Sequence, residues 1–223
     1  MLENKKLENK KYVLTVEGQT EKIYFNWLQE KINNCADRKY NVLIDSKVEQ
    51  SPRSFYKSIT AKANPEVFHI CDVESTSKEH IDKFERILSE MKESKKQKKI
   101  KYILGYSNFT FELWLILHKQ NCNGPLTKRQ DYITQINKCF CNSGERFENL
   151  EQFKQKSSLE KCLKQLSLDD VKKAIERAEK ITKANEQNHK QLIKHSGYSY
   201  YRENPALSIH EVVKRILVEC GVF

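Results

Sequence analysis

The sequence predicts an α/β fold: a parallel sheet flanked by helices, with a helical C-terminal half. Three observations carry this. The first 122 residues alternate short apolar or β-branched runs with segments of helical period. Four such strands separated by helices argue for parallel neighbours covered on both faces. Beyond about Asn123 no stretch reads as a strand. The expected division is an α/β unit over residues 1–122 and a helical region over 123–223 that packs on it.

Each element has its own signal. "KYVLTV" (Lys11–Val16) reads as the first strand. "TEKIYFNWLQEKI" follows as a helix with Ile23, Tyr24, Trp27, Leu28 and Ile32 on one face and Thr20 as its expected N-cap. "YNVLID" (Tyr40–Asp45) is the second strand, with a short helix after it around "RSFYKSITAKA". "EVFHIC" (Glu66–Cys71) is the third; the next helix, "KEHIDKFERILSEMKES", carries an inward stripe of Ile81, Phe84, Leu88 and Met91. "IKYILGYS" (Ile100–Ser107) is the fourth, and "FELWLILHK" turns back as an apolar helix. In the second half, "TKRQDYITQINKCF", "ENLEQFKQKSSLEKCLKQL" and "LDDVKKAIERAEKITKANEQNHKQLIKH" read as helices, the last opened by Ser167 and Asp170 as a capping box. A closing helix follows "RENPAL", with Ser208 as cap and Glu211 three residues on.

Composition narrows the function classes. The 223 residues hold 40 Lys and Arg against 30 Asp and Glu, a formal charge of +10. The excess favours a polyanionic partner, most simply nucleic acid; a generally lysine-rich composition is the plain alternative. No window approaches ~18 consecutive apolar residues, so no membrane span is expected. The charged start "MLENKKLENKK" lacks the apolar segment of a secretory signal. Seven cysteines without framework spacing fit free thiols in a reducing cytoplasm, the expected location. His118, Cys122, Cys139 and Cys141 have neither the spacing of common zinc knuckles nor any C-x2-C among them, and buried free thiols explain them better. The six glycines form no Walker-type loop.

The strand ends are where chemistry concentrates. The first strand runs into Glu17-Gly18, and the third ends in "CDVES", with Asp72 and Glu74 at its close. Strand alternation places Asp72 and Glu74 on one side, and a parallel sheet brings successive carboxyl ends to one edge. Glu17, Asp72 and Glu74 are therefore expected in one region. Clustered carboxylates repel unless a cation or shared protons relieve them, and an oxygen-rich set suits Mg²⁺ or Mn²⁺. Such an ion polarises a phosphoryl oxygen and activates water for in-line attack. Solvated turn residues that never meet are the plain alternative. Gly18, lacking a Cβ, is expected to leave room beside Glu17 for a tight turn and for backbone or phosphate.

Other polar positions are weaker. Glu21 is a secondary candidate, although a carboxylate in a first helical turn is favoured by the dipole alone. Glu112 is a further candidate metal ligand, and Asn108 an expected helix cap. His118 lies about 15 Å along the helix from Asn108 at the usual rise per residue, too far to serve the carboxylates. Arg202 and Asn204 either hold phosphate or pin the tail to the α/β core, the Asn-Pro turn favouring the latter. The tyrosines of "YSYY" (Tyr198–Tyr201) either stack bases or pack the tail. Lys22, Asn108 and Arg202 stand as candidate nucleic-acid contacts.

The blocks "VEGQTEKIYF", "HICDVES" and "YSNFTFELWLILH", in that order, resemble the RloB family of bacterial Toprim-like proteins linked to restriction and phage-defence loci. "AIERAEKI" and "YRENPALSIHEVVKRIL" extend the resemblance, so it runs from about Lys10 to Leu217. It implies a Toprim-like domain over 1–122, the catalytic α/β module of topoisomerases, primases and several nucleases. It also implies that Glu17 acts in acid–base or metal chemistry and that an acidic D-x-D pair, here Asp72 and Glu74, holds Mg²⁺. Glu74 departs from that pattern by one methylene. The expectation is a Mg-dependent nuclease acting on DNA or RNA in anti-phage defence. The alternative is a non-catalytic nucleic-acid-binding or sensor subunit that works with an ATPase partner, since Toprim-like defence proteins often operate beside ATPases.

Overall fold

Four strands, β1 (Asn9–Val16), β2 (Asn41–Val48), β3 (Glu66–Val73) and β4 (Lys101–Asn108), form one sheet in the order β2-β1-β3-β4 with every neighbour parallel. The computed structural model describes residues 7–59, 65–122, 126, 128–141 and 146–223. Because β2 lies on one side of β1 and β3 on the other, the strand order reverses between β1 and β3. Such a reversal opens a crevice at the carboxyl ends of the two strands, the usual ligand position in open α/β sheets.

The helices follow in chain order. They are α1 (Gln19–Asn33), α2 (Pro52–Ser58), α3 (Lys78–Lys98), α4 (Glu112–Leu117), α5 (Tyr132–Phe140), α6 (Leu150–Lys154), α7 (Lys156–Leu163), α8 (Leu168–Gln187) and α9 (Ile209–Cys220). Strand alternation sorts the core into two layers. Leu14, Val16, Phe68 and Ile70 face a layer built from α1, α4 and the C-terminal helices. Val67, Cys71, Val73, Tyr102 and Tyr106 face α2 and α3. Covering both faces buries Leu14, Val16 and Val67 completely, each side chain contributing roughly 1.5–3 kcal/mol. Gly105 lets α9 approach the sheet: a Cβ there would sit 2.6 Å from Ile70 Cδ1 and 3.2 Å from Val212 Cγ2.

Several local expectations change. Thr20 lies buried inside α1; the N-cap is Gly18, whose N–H donates to Glu21 Oε2 at 3.0 Å. Gly18 has an extended backbone at φ −147°, so no tight glycine turn is needed there. A Cβ on it would meet Glu21 Oε2 at 3.2 Å. Ser208 does not cap α9 with its side chain: its hydroxyl accepts from Tyr106 N–H and donates to Leu104 O, tying α9 to β4. The single expected helix over 148–166 breaks at Gln155 into α6 and α7. Residues 60–63 of the expected second helix, and the boundary near Asn123, lie outside the described residues.

The largest change is at the end of α8. The helix stops at Gln187, and "LIKH" and "YSYY" form an antiparallel hairpin, β5 (Leu192–His195) and β6 (Tyr198–Tyr201). Its two turn residues, Ser196 and Gly197, both take positive φ, 52° and 90°, as a tight hairpin turn requires. Tyr200 packs edge-on against Phe84, with ring centroids 4.9 Å apart, and its hydroxyl donates to Glu85. Ser89, hydrogen-bonded to His195, and Glu85 hold the hairpin onto α3. No described helix is long and apolar enough to cross a membrane.

Candidate functional site

Glu17 follows β1 and Asp72 is the penultimate residue of β3, so both sit at the mouth of the crevice where the strand order reverses. Glu17 Oε2 accepts the Asp72 N–H at 2.8 Å. The Asp72 carboxyl itself is held by two groups: Ser107 Oγ donates to Oδ1 at 2.8 Å, and the Phe111 N–H donates to Oδ2 at 3.1 Å. Ser107 is the β4 residue paired with Asp72 in the sheet. Phe111 is the residue immediately before α4, so the backbone N–H at the entry to that helix is directed at the carboxyl.

Two further carboxyls stand behind this pair. Glu112, in the first turn of α4, is fully buried. Its Oε2 accepts from Thr110 Oγ1, and its Oε1 faces Lys154 Nζ at 3.2 Å as an ion pair without hydrogen-bond alignment. Glu21, one turn along α1, is 5% exposed. Burial pushes the Glu21 carboxyl up to about 7, and the charges of Glu112 and Glu17 push the same way. Burial also holds the Asp72 carboxyl well above the ordinary range, with Glu17, Glu21 and Glu112 adding to it. Asp72 keeps part of its surface open, so the upward direction stands on those three neighbouring carboxyls as much as on burial.

Glu74 reaches the pair through a lysine. It lies past the end of β3, where strand alternation no longer fixes its direction. Lys83 Nζ on α3 donates to Glu74 Oε1 at 2.6 Å and stands 3.6 Å from Glu17 Oε1. His80 Nε2 lies 3.6 Å from Glu74 Oε2. Burial raises the Glu74 carboxyl, but the Lys83 bond and charge outweigh it and hold Glu74 below the usual range. The same bonds outweigh desolvation at Lys83 and raise its ammonium. The expected trio therefore divides: Glu17 and Asp72 share a bond and a field, while Glu74 is joined to Glu17 only through Lys83.

A hard divalent cation is a chemical match for this set of carboxyl oxygens. Among the described residues no group of three His, Cys, Asp or Glu side chains is disposed to hold a metal ion. Mg²⁺ needs no such cage, since it is commonly held by one or two carboxylates with waters and substrate phosphates. Glu17 and Asp72 are the two carboxylates that would serve, and a cation would relieve the part of the Asp72 rise that neighbouring carboxyls add to burial.

The remaining candidates have structural partners. Asn108 is fully buried, its amide donating to Tyr201 O at 3.0 Å, and it does not cap α4. It supports the hairpin and presents nothing to a polyanion. Arg202 Nη2 donates to Glu85 Oε1 at 3.1 Å, which pins the hairpin to α3. Asn204 accepts from Tyr132 Oη and donates to Leu126 O, which ties the tail down. His118 Nδ1 lies 2.9 Å from Trp114 O and so carries its proton there, leaving Nε2 to accept from Tyr24 Oη at 3.1 Å. Burial lowers that imidazole to about 4, and neither nitrogen is free for a metal. His210 is buried and likewise lowered to about 4. Tyr200 and Tyr201 are buried in the packing of the hairpin. Lys22 is half-buried on α1, beside the site.

Sequence reasoning missed Lys83 and Ser107 as parts of the site. Lys83 is one lysine in a lysine-rich helix, and only its placement opposite two strand ends distinguishes it. Ser107 reads as the last residue of a strand until sheet register pairs it with Asp72.

Comparison with known proteins finds a family model, described as RloB-like protein, that matches residues 12–216. No curated protein and no solved structure matches the chain.

Proposed function

The chain belongs to the RloB-like family, and we propose that it is a Mg²⁺-dependent nuclease of the Toprim type that cleaves DNA or RNA phosphodiesters in anti-phage defence. The observation that carries the reading is the carboxyl cluster at the sheet's reversal point, where Glu17 accepts the Asp72 N–H and burial with Glu17, Glu21 and Glu112 raises the Asp72 carboxyl. A strand-end crevice is where this architecture binds ligands, and perturbed carboxyls in such a crevice mark a functional site.

Glu17 and Asp72 are the residues that would hold Mg²⁺ or Mn²⁺, with Glu112 behind them. When bound, the ion polarises a phosphoryl oxygen and lowers the pKa of its water. Glu21, at about 7, is poised to take and return a proton near neutral pH. Lys83, held by Glu74 and near Glu17, brings a positive charge to the crevice that a phosphate can use. Glu74 is then a positioning residue for Lys83. The test is a metal titration by calorimetry: wild type binds Mg²⁺ or Mn²⁺ and Asp72→Asn loses that heat. Equal binding by the variant would refute the assignment.

A second reading has one observation in its favour: Glu74, the second carboxyl of the acidic pair, is taken up by Lys83. On that reading the chain is a non-catalytic nucleic-acid-binding or sensor subunit working with an ATPase partner. It is distinguished by oligonucleotide binding that persists without divalent metal and without any cleavage.

A further inference from the structure

One face of α1 and the α6–α7 segment enclose a groove of about 840 Å³ lined by Gln19, Lys22, Ile23, Asn26, Trp27 and Glu30 on one side and Lys154, Lys156, Glu160, Leu163 and Lys164 on the other. The α1 contributors recur every three or four residues, so they form one continuous stripe along that helix. Trp27 and Leu163 are buried and Ile23 is half-buried, giving the groove an apolar floor; Gln19, Asn26, Lys156 and Lys164 are exposed along its rim. Its charge is four lysines against two glutamates. Lys156 pairs loosely with Glu160 at 3.8 Å.

One end of the groove lies at the start of α1, beside the carboxyl cluster, although none of the four carboxyls lines it. Gln19 and Lys22 lie in the first turn of the helix that starts two residues after Glu17. Lys154 is a wall of the groove and also the ion partner of the buried Glu112. A ligand lying along α1 would therefore reach Glu17 and Asp72 at one end.

We propose that this groove carries a single strand of nucleic acid, with its phosphates on Lys22, Lys156 and Lys164 and its bases over Ile23, Trp27 and Leu163. The inference deepens the proposed function by naming the strandedness of the substrate and the path it takes. Basic rims with an apolar floor match a single strand, whose bases are free to leave water, whereas a duplex offers phosphates outside and hides its base faces. The volume is within the roughly 300–1,000 Å³ that takes a drug-sized ligand. It admits a short stretch of one strand and not a double helix. RNA and DNA single strands share this chemistry.

The test is fluorescence anisotropy with single-stranded RNA, single-stranded DNA and a duplex, each of about 10 nucleotides per strand, in EDTA so that no strand is cut. Wild type binds at least one of the single strands more tightly than the duplex, and the RNA and DNA arms identify which. The double substitution Lys22→Glu with Lys164→Glu weakens that binding at least tenfold. It also flattens the salt dependence by about 1.4 in the log–log slope, two phosphate contacts at roughly 0.7 each. Lys164→Glu alone, at an exposed position, gives a smaller loss and guards against misfolding of the double variant. Unchanged affinity in both variants, duplex binding equal to single-strand binding, or full competition by polyglutamate would each overturn the groove. If wild type binds single strands through these lysines yet never cleaves with Mg²⁺, the groove stands and the nuclease reading falls. If it cleaves and the substitutions change nothing, the nuclease reading stands and the groove falls.

Discussion

Glu17 Oε2 accepts the Asp72 N–H at 2.8 Å, joining the end of β1 to the end of β3 by a side chain. The β1–β3 ladder pairs residues only as far as Val16 and Ile70, so Glu17 satisfies a donor that the neighbouring strand's backbone no longer reaches. The same carboxylate faces Lys83 with its other oxygen. A single side chain thus closes the sheet edge and supplies charge to the crevice.

Removing that side chain separates the two roles. Glu17→Gln keeps an acceptor for the Asp72 N–H and should change stability by less than about 1 kcal/mol, while Glu17→Ala leaves the donor unpaired and costs about 1–3 kcal/mol. For a chain of this size each kcal/mol is about 2–4 °C in Tm. Thermal unfolding of both variants checks this. Equal melting of the Ala and Gln variants would show that the bond does not matter to the fold.

Glu21 predicts a pH dependence. Its carboxyl rises from 4.5 to about 7 on folding, so between those values the folded state holds a proton that the unfolded state has released. The stability it contributes is present below about pH 4.5 and is lost as pH rises through about 7. Glu21→Gln should remove up to about 3 kcal/mol of that decline. Denaturant midpoints at pH 5 and pH 8 measure it, and an unaltered difference between them in the variant contradicts the assignment.

Lys83 competes with a divalent cation for Glu17. Lys83→Met should therefore tighten Mg²⁺ binding by roughly 3–10-fold through lost repulsion and still slow cleavage, because the charge offered to the phosphate is gone. Tighter binding together with faster cleavage would show that Lys83 only blocks the site.

Arg202→Ala distinguishes a pin from a phosphate contact. Its guanidinium bonds Glu85, so the variant should lose amide protection at Tyr198 and Tyr200 and keep oligonucleotide affinity within about twofold. A change in the salt dependence of binding by about one phosphate contact would assign it to nucleic acid instead.

The α/β half was legible because its strands announce themselves: "YVLTV", "VLID", "VFHIC" and "YILGYS" alternate with helices whose apolar stripes are complete. Glu17 and Asp72 were legible for the same reason, since a parallel sheet sends its carboxyl ends to one edge. Glu74 was legible as a strand-end carboxylate, but not its tie to Lys83, because alternation does not extend past Val73, where the strand ends. The hairpin stayed hidden since "KQLIKH" continues the polar composition of α8, and only Ser196-Gly197 breaks it. Asn108 looked like a helix cap from spacing alone; its actual partner, Tyr201 O, lies 93 residues away, a distance no local pattern reports. Lys83 carries no local signal at all.

Cleavage itself tests the central claim most directly. Radiolabelled single-stranded RNA and DNA are incubated with wild type, Glu17→Gln and Asp72→Asn, each with Mg²⁺ and with EDTA. Asp72→Asn is close to isosteric and can still accept from the Phe111 N–H, so its fold should survive. The account predicts Mg²⁺-dependent cutting by wild type and a loss of at least about 100-fold in both variants, with circular dichroism unchanged. Cutting by either variant at the wild-type rate, or by wild type in EDTA, would contradict it.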